Sequence, residues 1–388
     1  MKTSTARLEQ IAPQFFAALN KRVVALQESG VDVIRLDVGS PDLPPAPHII
    51  EALIHSASQA QAHGYVSHQG PSQLRAAWAE MYRRQFGVEL DVEAEVVPLL
   101  GSKEGIFHLS QALLEPGDVV LIPDPSYLTY HVAAHLAGAE SYFLPLLPER
   151  SYLPDFNSIP DRILQRSRLL WLNYPSNPTA ATAPAGFFAE ALDFARQHDL
   201  LVAHDAAYNL ITFDGYSAPS ILQEPGAKKL AIEFNTLSKS YNMAGWRVGV
   251  AVGNRAVLRS LSTLKTHADS GHFLPILQAA TAAITGDQSW LVERNQFYAQ
   301  RRDVVVSSLN RLGLRADRPQ ASLYIWSPVP AGWTAEAFAL SVLEEAQLSL
   351  TPGTVFGSQG QGYVRISLTS SLERITEGMD RLESWMKK

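Results

Sequence analysis

Between about residues 96 and 253, short and wholly apolar runs alternate with segments of helical period. The runs are VVPLL (96–100), VVLI (119–122), LLWL (169–172), LLVAH (200–204), LAIEF (230–234) and VGVAV (248–252). Most lack the in-and-out alternation of a half-exposed strand, so both faces are expected to be covered, as in a parallel sheet between helix layers. The segments between them read as helices. From Lys103 to Leu114, for example, Ile106, Leu109 and Leu113 share one face. Strand–helix alternation of this kind is the βαβ pattern.

The flanks follow other rhythms. Phe15, Phe16, Leu19, Val23 and Leu26 fall at helical spacing and Gly30 stops the helix, after which VIRLDVGSPDLPPAPH gives a short strand running into a proline-rich loop. From Phe273 onward the chain predicts long helices, with Phe297, Val304, Val305 and Leu309 on one face, then strands at SLYIWSPV and YVRISLT, then a terminal helix. The expected fold is α/β: a mostly parallel central sheet flanked by helices in a large domain, plus a smaller α+β domain. Residues 1–35 form an arm and helix joining the small domain, 36–275 the large domain and 276–388 the small one. No internal repeat or low-complexity tract interrupts this plan.

Composition narrows the chemistry. The 388 residues include 46% hydrophobic and 18% charged, a globular balance. Lys plus Arg number 32 against 38 Asp plus Glu, a formal charge of -6 without a basic run, which argues against nucleic acid as a partner. There is no cysteine, so thiolate nucleophiles, disulfides and cysteine-held metals are excluded. The N-terminus has no apolar core of secretory length and no stretch reaches membrane-spanning length, so no membrane partner and a cytoplasmic address are expected.

In an open parallel sheet, ligands sit beyond the carboxyl ends of the strands. The residues following these runs are polar: Gly101-Ser102-Lys103, Pro123-Asp124-Pro125-Ser126-Tyr127, Asn173 to Pro178, Asp205-Ala206-Ala207-Tyr208, and Thr236-Leu237-Ser238-Lys239. GSKEG between a strand and a helix would aim backbone N–H groups at an anion, or be a tight turn with a serine cap. It lacks Walker spacing, and no GxGxxG opens a βα unit. Asp205, placed after a buried strand, needs a cation or donors, or else caps a helix. Lys239 is either a solvated loop lysine or an amine suited to imine chemistry. Arg247, eight residues on, has the fork to clamp an anion. Together these groups are those needed to hold a phosphorylated, cationic aromatic aldehyde.

Weaker signals have plainer readings. His131 and His135 are spaced i, i+4 but lack the zincin glutamate, and read as helix-packing or surface residues. Gly353, Gly357, Gly360 and Gly362 read as a flexible connection between strands, and Arg301-Arg302 as a solvated or interdomain face.

The order GSKEG, DPSYLTY, NYPSNPT, HDAAY and TLSKSYNMAGWRVG resembles the fold-type I pyridoxal-phosphate aminotransferases of class I/II, from the VGSPD loop to YVRISL. Within that superfamily GSKEGIFHL and FNTLSKSYNMAGWRVG are most similar to alanine and LL-diaminopimelate aminotransferases. The resemblance implies that Lys239 carries the pyridoxal 5'-phosphate and shuttles the proton, that Asp205 pairs with the pyridinium nitrogen, and that Asn177 and Tyr208 bond the ring oxygen. It implies stacking by Tyr127, a phosphate site of Ser102, Lys103, Thr236, Ser238 and Arg247, and Tyr65 reaching in from the second subunit of a homodimer. Arg365, with Gly39 and Asn177, would hold the substrate carboxylate. The family's NPTG is NPTA here, with Ala180 at the glycine, and no arginine aligns with the one that reads a distal carboxylate in aspartate-specific members.

The expected activity is amino transfer between an L-amino acid and a 2-oxo acid by a ping-pong route, of the alanine/glutamate or LL-diaminopimelate type. A fold-type I lyase using the same cofactor is the alternative. An arginine fixing the α-carboxylate argues against its loss as carbon dioxide. A regulator keeping this fold would carry a DNA-binding segment, for which the thirty residues before the first strand leave no room.

Overall fold

The computed structural model describes residues 1, 3–11 and 15–388. Its strands in chain order are β1 (Ile34–Arg35), β2 (Val96–Leu99), β3 (Val119–Asp124), β4 (Glu140–Pro145), β5 (Ser167–Leu172), β6 (Leu201–Asp205), β7 (Ala231–Thr236), β8 (Gly249–Gly253), β9 (Tyr324–Pro328), β10 (Leu348–Ser349), β11 (Thr351–Pro352) and β12 (Tyr363–Ser367). Seven of them make the main sheet, in the order β2-β8-β7-β6-β5-β3-β4. Strands β3 to β7 pair in parallel, and β8 runs antiparallel to both of its neighbours, β2 and β7.

The apolar runs become these strands because both faces are covered. Along β3, Val119 and Leu121 enter the core on one face, and Val120 and Ile122 the core on the other. The first core is closed by helices Pro47–Ala57, Ser72–Phe86 and Leu274–Thr285, through Ile49, Trp78 and Leu277. The second is closed by Ser102–Leu113, Thr129–Ala137 and Arg255–Ala268, through Ile106, Tyr130 and Leu261. Trp78 and Trp171 are fully buried, and truncating such a ring to alanine costs about 3–5 kcal/mol.

Strand β4 is the one member of the main sheet that the apolar-run reading did not name. It is an edge strand whose residues are mostly exposed or half-buried, with Leu144 buried, so it has no continuous apolar run.

A third core joins the remaining elements. Ile34 and Leu36 meet Val305 and Leu309 of helix Trp290–Arg311, Tyr324 of β9, Phe338 of helix Ala335–Ala346, Ile366 of β12 and Leu382 of the terminal helix Leu372–Met386. The antiparallel sheet β11-β12-β9 and the parallel pair β1-β10 lie here. Helix Phe15–Glu28 packs Val23 against Val33 and Leu343. A boundary at 275/276 would separate helix Leu274–Thr285 from the main-sheet core that holds its Leu277, Ala280 and Ala283. We propose the division inside Trp290–Arg311, whose Leu291 packs on the main-sheet core and whose Val305 and Leu309 pack on the other. Among the described residues, no helix is long and apolar enough to cross a membrane.

Candidate active site

A cavity of about 900 Å³ opens where the carboxyl ends of the main-sheet strands face the β1 segment and β12. Gly39, Ser102, Lys103, Tyr127, Asn177, Asp205, Tyr208, Thr236, Ser238, Lys239, Arg247 and Arg365 all line it. Tyr65 does not line it and stands 96% exposed.

At one end, β2 turns into helix Ser102–Leu113 through Gly101, at φ +80°. A Cβ there would lie 2.2 Å from Arg247 Nη2, so glycine both takes the left-handed φ without strain and leaves the guanidinium its present place at the helix N-terminus. Thr236 caps the short turn Leu237–Ser240, accepting from the Ser238 N–H at 3.1 Å and donating to the Val248 carbonyl at 3.0 Å. Arg247 Nη1 donates to Ser238 Oγ at 3.3 Å. Hydroxyls, a guanidinium and helix N–H groups thus converge as an anion cradle.

Asp205 ends β6 at 5% exposure. Burial pushes its carboxyl up, against the Tyr130 hydroxyl, which donates to Oδ2 at 2.7 Å, and the Ala207 N–H, which donates to Oδ1 at 3.3 Å. Lys239 donates to the Gly39 carbonyl. Burial lowers the pKa of its amine; the phenol of Tyr324 opposes this and the cations Arg365 and Arg247 reinforce it. A lysine so placed gives up its proton more readily, which a nucleophilic amine requires.

Arg365, 4% exposed, sits in β12. Its Nη1 donates to Asn177 Oδ1 and its Nη2 to the Asp37 carbonyl, both at 2.9 Å, and the guanidinium lies 4.2 Å from the Tyr324 ring centroid. Asn177 is in turn fixed through its N–H, donated to Asn173 Oδ1 at 2.7 Å, while Asn173 Nδ2 donates to the Asp205 carbonyl at 2.7 Å.

Two residues here escaped the sequence reading. Tyr130 lies on a helix inside a run that reads as packing. Tyr324 lies within the apolar stretch SLYIW, yet its hydroxyl is 3.0 Å from that of Tyr208. Burial raises the Tyr208 phenol, and Tyr324 adds to the rise. Tyr324 is lowered, because Arg365 and Lys239 outweigh its burial. Only its register, inward on β9 opposite Ser367 of β12, marks it in the sequence.

The description aminotransferase class I and II matches residues 31–382. The chain belongs to the class I and II aminotransferases. It is 46% identical over 382 residues to the LL-diaminopimelate aminotransferase of Moorella thermoacetica, covering 98% of both chains. The LL-diaminopimelate aminotransferase of Desulforudis audaxviator is also 46% identical, over 376 residues, 97% of this chain and 96% of that one. Among solved structures, substrate-bound BacF from Bacillus subtilis matches with a TM-score of 0.96 and 36% identity, covering 99% of this chain and 98% of that one. A Thermus thermophilus aspartate aminotransferase mutant matches at 0.93 and 28%, covering 99% and 100%. The architecture is that of fold-type I aminotransferases.

Of three weaker signals in this aminotransferase, the histidine pair keeps its helix-packing reading and the other two change. His131 Nδ1 meets Ser141 Oγ and His135 Nε2 the Arg7 carbonyl, both at 2.9 Å. The glycine segment 353–362 is not a loose connection: Asp124 accepts from the Ser358 N–H at 3.1 Å, its hydroxyl at 2.7 Å and the Gln359 N–H at 3.1 Å. Arg301 and Arg302 are buried rather than solvated, paired with Asp42 and Asp214 at 2.7 and 2.6 Å. Ala180 takes φ +57°, the left-handed region, which gives a physical reason for the family's glycine in NPTG.

Proposed function

We propose that this aminotransferase is pyridoxal-phosphate-dependent and transfers an amino group from LL-diaminopimelate to a 2-oxo acid by a ping-pong route. The observation that carries the cofactor reading is a half-buried Lys239 with a lowered pKa, sharing one cavity with a buried Asp205 and an anion cradle. The residues fit the group. Among the described residues Asp205 has a single side-chain donor, Tyr130, and Gly101 leaves room for Arg247 at the cradle. Arg365 Nε is buried without a partner among the described residues. The substrate reading draws on the two LL-diaminopimelate relatives at 46% identity over nearly the full chain.

Bound here, the cofactor supplies an electrophilic carbon and an electron-withdrawing ring that ease loss of the substrate's Cα proton. The chain does the rest. Lys239 holds the cofactor, then takes and returns the Cα proton at Nζ. Asp205 would pair with the ring nitrogen and favour its protonated form, Asn177 and Tyr208 would bond the ring oxygen, and Tyr127 would pack beside the ring. Ser102, Lys103, Thr236, Ser238 and Arg247 hold the phosphate. Tyr65, exposed in the single chain, completes that site from the second subunit of a homodimer. Arg365, Gly39 and Asn177 hold the α-carboxylate.

The test is a half-reaction screen of the cofactor-loaded protein with LL-diaminopimelate, L-alanine, L-glutamate, L-aspartate and aromatic amino acids. Visible absorbance should bleach fastest with LL-diaminopimelate and return with a 2-oxo acid. Release of ammonia or carbon dioxide without bleaching would establish a lyase instead. Normal turnover by Lys239→Ala would overturn the assignment.

A further inference from the structure

Once the cofactor and α-carboxylate are provided for, Arg35 and Asp37 are the charged residues lining the cavity that have no assigned task. They stand i, i+2 on the extended segment that begins with β1, and so project from the same face. Arg35 Nε donates to Asp37 Oδ1 at 2.9 Å and Nη2 to Oδ2 at 2.7 Å, a fork-on-fork pair. Arg35 Nη1 donates to Asn20 Oδ1 at 2.8 Å, from helix Phe15–Glu28. The Asp37 side chain is 1% exposed and that of Arg35 26%, so the aspartate charge is poorly screened by water while the guanidinium stays accessible. The backbone of Asp37 already accepts from Arg365, which places the pair next to the α-carboxylate site.

This pair is neutral overall, and that decides what it suits. An apolar side chain laid against it would desolvate two charges and return nothing. A lone distal carboxylate would gain from Arg35 but meet Asp37 beside it; a lone distal ammonium would meet the converse. A side chain ending in both groups satisfies both. Its carboxylate can take the guanidinium protons that Asp37 and Asn20 leave over, since arginine has five and these three contacts use three. Its ammonium can donate to Asn20 Oδ1, drawn there by the charge of Asp37, which at 1% exposure acts through space rather than by contact.

We propose that Arg35 and Asp37, steadied by Asn20, read the far end of the substrate and select a side chain that ends in a paired ammonium and carboxylate. The proposal rests on the LL-diaminopimelate reading above and adds which residues make that choice.

L-lysine is LL-diaminopimelate without its distal carboxylate, and L-2-aminopimelate is LL-diaminopimelate without its distal amine. kcat/KM for these three donors and L-alanine is therefore measured on the wild type, Arg35→Gln and Asp37→Asn, all cofactor-loaded. Arg35→Gln should lower the diaminopimelate-to-lysine ratio by about tenfold or more, and Asp37→Asn the diaminopimelate-to-aminopimelate ratio by as much. Parallel loss on all four donors, or ratios that stay put in a wild type that prefers LL-diaminopimelate, would overturn this role alone. A wild type that transaminates L-alanine but not LL-diaminopimelate would overturn this role and the substrate assignment together.

Discussion

Tyr130 donates its hydroxyl to Asp205 Oδ2 at 2.7 Å while its ring stacks on Trp171 at 4.6 Å. One residue therefore serves the sheet's core with its ring and the site's carboxylate with its oxygen. Tyr130→Phe keeps the stacking and removes the donor. Asp205 is already raised by burial, and the hydroxyl opposes that rise, so the variant's carboxyl titrates higher still. The acid limb of the kcat/KM profile should move to higher pH, with a stability loss of about 1–3 kcal/mol. An unmoved acid limb would show that Asp205 does not govern it.

Gly39 packs its α-carbon against Tyr324. A Cβ at 39 would lie 2.2 Å from the Tyr324 hydroxyl, which is tethered to Tyr208 and lies beside Arg365. Gly39→Ala should cost roughly a hundredfold in kcat/KM, the scale of a 1 Å misplacement in an active site. Adding Tyr324→Phe removes the colliding oxygen and should recover part of the loss. A double variant no better than the product of the two singles would refute the steric account.

Lys239 bears on stability as well as chemistry. Its folded pKa lies below the ordinary 10.5, so between the two values the unfolded chain binds the extra proton and stability rises with pH. The penalty for burying the charge is full below the folded pKa and absent above 10.5. Cofactor-stripped Lys239→Met should therefore melt above the stripped parent, by most at the acid end, with the gap closing toward pH 10.5. A gap that widened with pH would contradict the burial argument.

Ala180 carries a methyl in a left-handed conformation. Ala180→Gly should relieve about 1 kcal/mol, seen as a higher urea midpoint with an unchanged slope. A lowered midpoint would mean that the glycine's greater freedom in the unfolded chain outweighs the strain.

Much of this molecule could be read along the chain because its main sheet is buried on both faces. Six strands appeared as apolar runs, and polar residues that follow five of them collect around one cavity. What escaped detection did so for physical reasons. β4 is half-exposed. Tyr130 and Tyr324 resemble core residues until a neighbour gives their hydroxyls a partner. Arg35 and Asp37 look like ordinary surface charges on a short edge strand. Arg301 and Arg302 read as a solvated or interdomain face, because nothing local in the sequence announces Asp42 or Asp214 as partners.

The reversal of β8 has a further effect. Because β8 runs against β7, the chain leaves and re-enters the sheet at the same end of the strands within residues 237–248, and that span carries both Lys239 and Arg247. Surface loops ordinarily absorb insertions at little cost. This one cannot, since a single added residue would slide the amine and the guanidinium apart and spoil both attachments at once. Its length is therefore as constrained as its residues, and variation between relatives should gather in the helices and outer strands around it.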